Sequence, residues 1–189
     1  MTQKIYIIMN KPSFTVCSAV SDSHKTIYSL LPKEMQKFVQ GAKRGERLHT
    51  VGRLDADTEG LIILTNDGFF SNEIAGPLSS VEKTYQVTLK NKVEKEVQEE
   101  YKKLAKNGII LPAEKKAPKQ LTKPFELEFL NENECLITIK EGKFHQVKRT
   151  FLALENEVLY LKRIRIGKLF LPEDLSTGEF KISFVKPKI

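Results

Sequence analysis

The sequence predicts an α+β fold built on a mixed, mostly antiparallel sheet with flanking helices. Two features carry that reading. Strand-like and helix-like patterns are interleaved along the chain, and neighbouring strand patterns are joined by short polar turns, as in hairpins. Few segments follow the strand–helix–strand order that a parallel sheet requires. The chain has 189 residues, 40% of them hydrophobic and 29% charged. That length suits one domain, or two small subdomains, with a core that needs no staples.

The elements follow in order. Residues 4–9, KIYIIM, read as a first buried strand that ends at NKPS. TIYSLLPKEM is a short helical pattern, and GAKRGER, residues 41–47, is a glycine-bounded basic loop. LIILTNDG reads as a strand running into an Asn-Asp-Gly turn, followed by a short helix, FFSNEIA, stopped by Gly76-Pro77. In KTYQVTL, Tyr85, Val87 and Leu89 alternate on one face, as in a half-buried strand. Residues 93–106 form an amphipathic helix pattern with Val93, Val97, Tyr101 and Leu104 as its apolar stripe and Asn107-Gly108 as its stop. FELEFLNENECLITI is a hairpin with a polar turn. EGKFHQVKRTFLALEN then brings Val147, Phe151 and Leu154 to helical spacing for burial and sets His145, Lys148 and Arg149 on roughly one helical face. VLYLKRIRIG, KLFL and EFKISF close the chain as strands.

No segment is long and apolar enough to span a bilayer, and polar residues follow IYIIM too soon for a secretion signal. Cys17 and Cys135 are far apart with no ligand-like spacing. They read as reduced, buried thiols of a cytoplasmic protein, without a metal site. The formal net charge of +7 favours a polyanionic partner. Arginine sharpens this, because it clusters at Arg44 and Arg47, at Arg53, and at Arg149, Arg163 and Arg165. Its planar fork binds phosphate and stacks on bases, which lysine does less well.

The stretch TVGRLDADTEGLIILTNDG, residues 50–68, places Asp55, Asp57, Glu59 and Asp67 around one apolar run, with Arg53 two residues ahead of the first. Asp57-Thr58 and Asn66-Asp67 suit turns and caps. Asp55 differs. It follows Leu54, an apolar anchor, and precedes ADTEG, where Thr58 and Gly60 can fix the backbone. A catalytic group must be held this rigidly.

GRLDADTEGLIILTNDG resembles the signature of the pseudouridine synthases, in the branch typified by RsuA together with the large-subunit enzymes like it. MNKPSFTVCS, EKTYQVTL, LTKP, EGKFHQVKR and RIRIGKLFLPEDLSTGEF resemble that family too, in order along essentially the whole chain. The resemblance implies one pseudouridine synthase catalytic domain over residues 1–189, with two subdomains around a central cleft. It implies catalytic roles for Asp55, as the essential carboxylate, for Tyr85, packed against the target base, and for Lys148, a cation paired with the aspartate. RNA contacts would come from Arg53, which helps displace the flipped nucleotide, and from Arg44, Arg47, His145, Gln146, Arg149, Arg163 and Arg165. RsuA-type enzymes usually carry a small S4 RNA-binding domain before the catalytic part; this sequence starts almost directly on the first catalytic strand, so the expectation is a catalytic domain without S4, either naturally short or cut from a longer chain.

The implied activity is isomerisation of a specific uridine in ribosomal RNA, with no cofactor and no metal. HQVKR is more similar to the small-subunit (16S) rRNA enzyme than to those acting on 23S rRNA, so the expected partner is rRNA in an assembling small subunit, met by a monomer. Two other readings stay open on the residues: an N-glycosidase using Asp55 with Asp57 or Glu59, and a non-catalytic RNA-binding protein. Residues i and i+2 of an extended loop point apart, which disfavours the first. A binder has no need of an acid among its basic contacts, which disfavours the second.

Overall fold

The computed structural model describes residues 3–39, 42, 43, 45–115 and 117–189. It divides the chain into two compact units, one of Met1–Val81 with Arg163–Ile189 and the other of Glu82–Lys162.

In the first unit, β1 (Tyr6–Lys11) is followed by a two-residue parallel pair, β2 (Thr15–Val16) with β3 (Lys25–Thr26). A 3-10 turn (Ile27–Leu30) and the short helix α1 (Lys33–Gln36) account for the TIYSLLPKEM pattern. Next come β4 (His49–Thr50), β5 (Glu59–Thr65) and α2 (Gly68–Ala75). β1 runs two residues past the expected strand end, because Asn10 and Lys11 are buried and bonded rather than forming a surface turn. Asn10 donates its amide to the Leu175 carbonyl at 2.8 Å, and its backbone carbonyl accepts from Gly178 at 2.7 Å.

β5 pairs antiparallel with β1, Ile8 opposite Ile63, and with β4, Thr50 opposite Leu64. From Gly60 to Thr65 every residue of β5 is buried, which explains its unbroken apolar run. The Asn-Asp-Gly turn works as the sequence suggests. The Asp67 carboxylate caps α2 by accepting from the Phe70 N–H at 3.3 Å, and it also accepts from the Tyr6 hydroxyl at 2.8 Å. Tyr6 and Phe70 meet edge to face at 5.2 Å, within a cluster of Val51, Leu61, Ile63, Ile74 and Ile166.

The second unit opens with β6 (Lys83–Leu89) and α3 (Lys95–Asn107), then β7 (Ile110–Leu111), β8 (Gln120–Leu121), β9 (Glu126–Phe129), β10 (Glu134–Ile139) and α4 (Gln146–Ala153). β6, β10 and β9 lie side by side, all antiparallel, with Tyr85 opposite Ile137 and Ile137 opposite Leu127. The predicted hairpin is therefore β9–β10. α3 ends where the sequence says, with Gly108 at φ +79, a conformation glycine tolerates.

The helix begins two residues later than expected, and its stripe is not as predicted. Val93 is buried but sits ahead of the helix, bonded to the Glu132 carbonyl at 2.8 Å, while Val97 and Leu104 are 37% and 41% exposed. Ala105 is the buried contact, and the Tyr101 hydroxyl reaches the Leu154 carbonyl. In α4, Val147 and Phe151 are buried as predicted, as is Leu154 at its C-cap. β11 (Val158–Ile166) leads from the second unit back into the first, where β12 (Leu169–Phe170) pairs with it and β13 (Phe180–Ser183) pairs with β1. Pairings are antiparallel throughout apart from β2–β3, among the registers observed for the described residues.

Candidate active site

Asp55 sits between β4 and β5, in a loop that leaves the sheet after Val51 and returns at Glu59. Gly52 turns the chain at φ +69, with its α-carbon side close to Ala75, so a side chain there would be strained. Leu54 is buried, which anchors the residue before Asp55. The Thr58 N–H closes a tight turn on the Asp55 carbonyl at 3.1 Å. Asp55 itself is half-buried.

Such a turn leaves backbone carbonyls pointing inward, and buried carbonyls need donors. Lys11, at the end of β1, supplies them. Its side chain is fully buried, and its ammonium donates to the carbonyls of Thr58 at 2.8 Å, Pro12 at 3.0 Å and Ala56 at 3.1 Å. Three donors and no acceptor make an ammonium the right group for three carbonyls. Burial lowers the Lys11 pKa, while the fields of Cys17, Asp57, Asp55 and Glu59 oppose that shift.

Two more groups hold the loop from the same segment. The Ser13 hydroxyl donates to the Asp57 carbonyl at 3.2 Å, and the Cys17 sulfur lies 3.4 Å from the Leu54 nitrogen and 3.5 Å from its oxygen. Lys11, Ser13 and Cys17 thus grip the backbone on both sides of Asp55. The sequence reading missed all three as site residues. The available signal was a lysine placed directly at the end of an apolar strand, ahead of a proline.

The other candidates of this unit divide by exposure. Arg53 and Arg47 are exposed. Arg165 is half-buried, with one nitrogen on the Gly167 carbonyl at 3.0 Å and its guanidinium 5.9 Å from the Phe170 ring centre. Arg44 lies outside the described residues. Arg163, expected to contact RNA, is 3% exposed and donates from Nε to the Leu61 carbonyl at 2.8 Å.

In the second unit, Tyr85 is buried on β6 and Lys148 is half-buried on α4. His145, Lys148 and Arg149 do not share a helical face. His145 precedes the helix in a left-handed conformation, φ +46, and its Nδ1 meets the Glu114 carboxylate at 2.9 Å. Arg149 points inward at 1% exposure and spends its guanidinium on the carbonyls of Pro118, Pro112 and Phe144 at 2.7, 2.9 and 3.0 Å. Gln146 is buried as well. Its amide donates to Glu141 and accepts from the Lys143 N–H, both at 2.9 Å. Arg149 and Gln146, both expected to contact RNA, are thus buried and bonded within the second unit.

Among the described residues, no group of three or more His, Cys, Asp or Glu side chains is placed to hold a metal ion. No helix of the described residues is long and apolar enough to cross a membrane.

Comparison with known proteins adds the chemistry. Residues 5–153 match the RNA pseudouridylate synthase family. The ribosomal small subunit pseudouridine synthase A of Haemophilus influenzae is 41% identical over 176 residues, which cover 93% of this chain and 68% of that protein. Its namesake in Escherichia coli is 39% identical over the same length, covering 93% and 69%. A crystal structure of a pseudouridylate synthase superposes with a TM-score of 0.82 at 39% identity, over 97% of this chain and 71% of the other. The chain is thus an RNA-modifying isomerase. It belongs to the RNA pseudouridylate synthase family.

Proposed function

We propose that the chain converts one specific uridine of small-subunit (16S) ribosomal RNA to pseudouridine, with Asp55 as the reacting carboxylate and no cofactor. The observation that carries this reading is the grip on the Asp55 turn by Lys11, Ser13 and Cys17, taken with small-subunit relatives at about 40% identity across 93% of the chain. In the reaction the N1–C1′ bond breaks, the uracil turns, and C5 bonds to C1′. The C5 proton is lost and N1 regains one, so atoms balance without an oxidant or an energy carrier. Bond breaking leaves positive charge on the sugar. A fixed carboxylate stabilises that charge, traps it covalently, or takes a neighbouring sugar proton. A carboxylate that had to reorganise first would do each of these less well.

Tyr85 packs against the target base and Lys148 is the cation paired with the aspartate. Once RNA expels water, desolvation disfavours a carboxylate anion, and a cation opposes that. Arg53, Arg47 and Arg165 meet the RNA, and Arg53 helps displace the flipped nucleotide. Extruding the uridine from its stack costs a few kcal/mol, which aromatic stacking and phosphate contacts offset. The partner is rRNA in an assembling small subunit, met by a monomer in the cytoplasm. Ribosomal RNA carrying tritium at uridine C5 tests the reading. The expected result is release at one small-subunit site, mapped by reverse-transcription stops after carbodiimide treatment. Release confined to large-subunit rRNA would overturn the target, and free uracil as product would overturn the isomerisation.

A further inference from the structure

Glu141, which opens the EGKFHQVKR segment, is a carboxylate kept largely from water: its side chain is 12% exposed. Burying a carboxylate is costly unless donors surround it. Here they do. Oε1 accepts from the Lys123 N–H and from the Gln146 side-chain amide, both at 2.9 Å, and Oε2 takes the Lys143 ammonium. One side chain thus joins the chain leaving β8 to the loop before α4 and to the first residue of that helix.

That helix start needs support. α4 has eight residues, and a helix so short frays readily from its ends. Its N-cap residue, His145, turns its ring to Glu114 instead of capping the helix. Gln146 makes good the loss. Its N–H donates to the Lys143 carbonyl at 3.1 Å, while its side-chain oxygen accepts from the Lys143 N–H at 2.9 Å. This reciprocal pair closes residues 143–146 into a turn, and Glu141 holds the nitrogen end of the same amide. Lys148 stands two residues further on, in the turn that would fray. Gln146, Val147, Arg149, Thr150 and Phe151 are buried around it, and Lys148 alone of residues 146–151 is half-buried.

We propose that Glu141 and Gln146 are positioning residues for the reaction, fixing through the start of α4 where the Lys148 ammonium stands, an inference that rests on the proposed pairing of Lys148 with the reacting carboxylate. Lysine is a point charge on a flexible stem. Its value beside a carboxylate depends on how firmly the backbone beneath it is held, and neither Glu141 nor Gln146 needs to touch the RNA to set that.

Single-turnover tritium release from C5-labelled small-subunit rRNA, read together with RNA affinity and Tm, tests this. Glu141→Ala is expected to slow release by up to about a hundredfold where the protein stays folded, with RNA affinity unchanged. Glu141→Gln keeps an oxygen for Lys123 and Gln146 and is expected to keep most of the rate. Leu127→Ala, at a buried position on β9, is expected to lower the Tm and leave the rate unchanged, which separates positioning from lost stability. In a Lys148→Gln background Glu141→Ala is expected to add little, because the side chain it aims is gone. A Glu141→Ala protein that releases at the unmodified rate, or losses that multiply fully in the Lys148→Gln background, would overturn the proposal and leave the isomerase reading intact. A Lys148→Gln rate equal to the unmodified one would overturn the pairing and the proposal with it. Absence of release by the unmodified protein would overturn the isomerase reading as well.

Discussion

The Lys11 ammonium donates to the Thr58 carbonyl at 2.8 Å, from the end of one buried strand to the start of the next. With its bonds to Pro12 and Ala56, it acts on the Asp55 turn through backbone alone. Lys11→Met keeps the length and removes the donors, leaving three carbonyls short of partners. A stability loss on the order of 2–4 kcal/mol follows, measurable by urea unfolding. At a temperature where the variant remains folded, kcat is expected to fall more than RNA affinity, because the turn and not the binding surface is loosened. An affinity loss with kcat unchanged would assign Lys11 to RNA contact.

Tyr6 and Asp67 tie β1 to the cap of α2 and give stability a defined pH dependence. Burial, then the hydrogen bond and charge of Asp67, push the Tyr6 hydroxyl up to about 12 from an ordinary 10.0. Below pH 10 tyrosine is neutral in both folded and unfolded chains, so this stabilisation is fully present. Between pH 10 and about 12 the unfolded chain ionises first, and the stabilisation is lost as pH rises through the folded value. Asp67 runs the other way. Burial raises its pKa, but the bonds from Tyr6 and Phe70 and the charge of Lys4 outweigh that and lower it from 3.8. Its contribution is present above the ordinary carboxylate value and lost as pH falls through the lowered one. Tyr6→Phe is expected to flatten the alkaline limb of a Tm–pH profile between 10 and 12; an unchanged limb would contradict the pairing.

Arg149 carries three carbonyls with one side chain. Arg149→Met strands all three and is expected to cost roughly 2–4 kcal/mol. Hydrogen exchange is expected to rise first in residues 110–121. Loss of RNA affinity without loss of stability would instead assign Arg149 to RNA contact.

Both thiols are buried and their pKa values raised, Cys135 to about 12 by burial alone and Cys17 by burial against its bond to Leu54 and nearby cations. Iodoacetamide at pH 8 is expected to leave both unmodified in the folded protein and to alkylate both in urea, since the thiolate is the reactive form. Rapid labelling of Cys17 without denaturant would mean that the grip on Leu54 opens freely.

Much of this was legible in the sequence because local chemistry decides it. The Asp67 cap, the glycine stop at Gly108, the alternation of Tyr85, Val87 and Leu89, and the β9–β10 hairpin each follow from a pattern a few residues long. What escaped depends on distant backbone. The spacing of Val97, Tyr101 and Leu104 says that they share a face, not how far it is covered, and Val97 and Leu104 stay partly exposed. Arg149 looks like any basic residue until the two proline carbonyls, 31 and 37 positions away, are brought to it. Lys11 ends an apolar run in the sequence as though turning to solvent, yet it is fully buried under the loop of Asp55. Asp55 could be singled out from its neighbours, but not what holds it.

If Asp55 is the reacting carboxylate, replacing it with the neutral amide of the same shape must abolish the chemistry. Small-subunit rRNA labelled with tritium at uridine C5 is incubated with the unmodified protein and with Asp55→Asn, at matched folding and matched RNA binding. The expected result is stoichiometric release by the unmodified protein and none above background by the variant. Equal release by both would contradict it, and would move the chemistry to another residue.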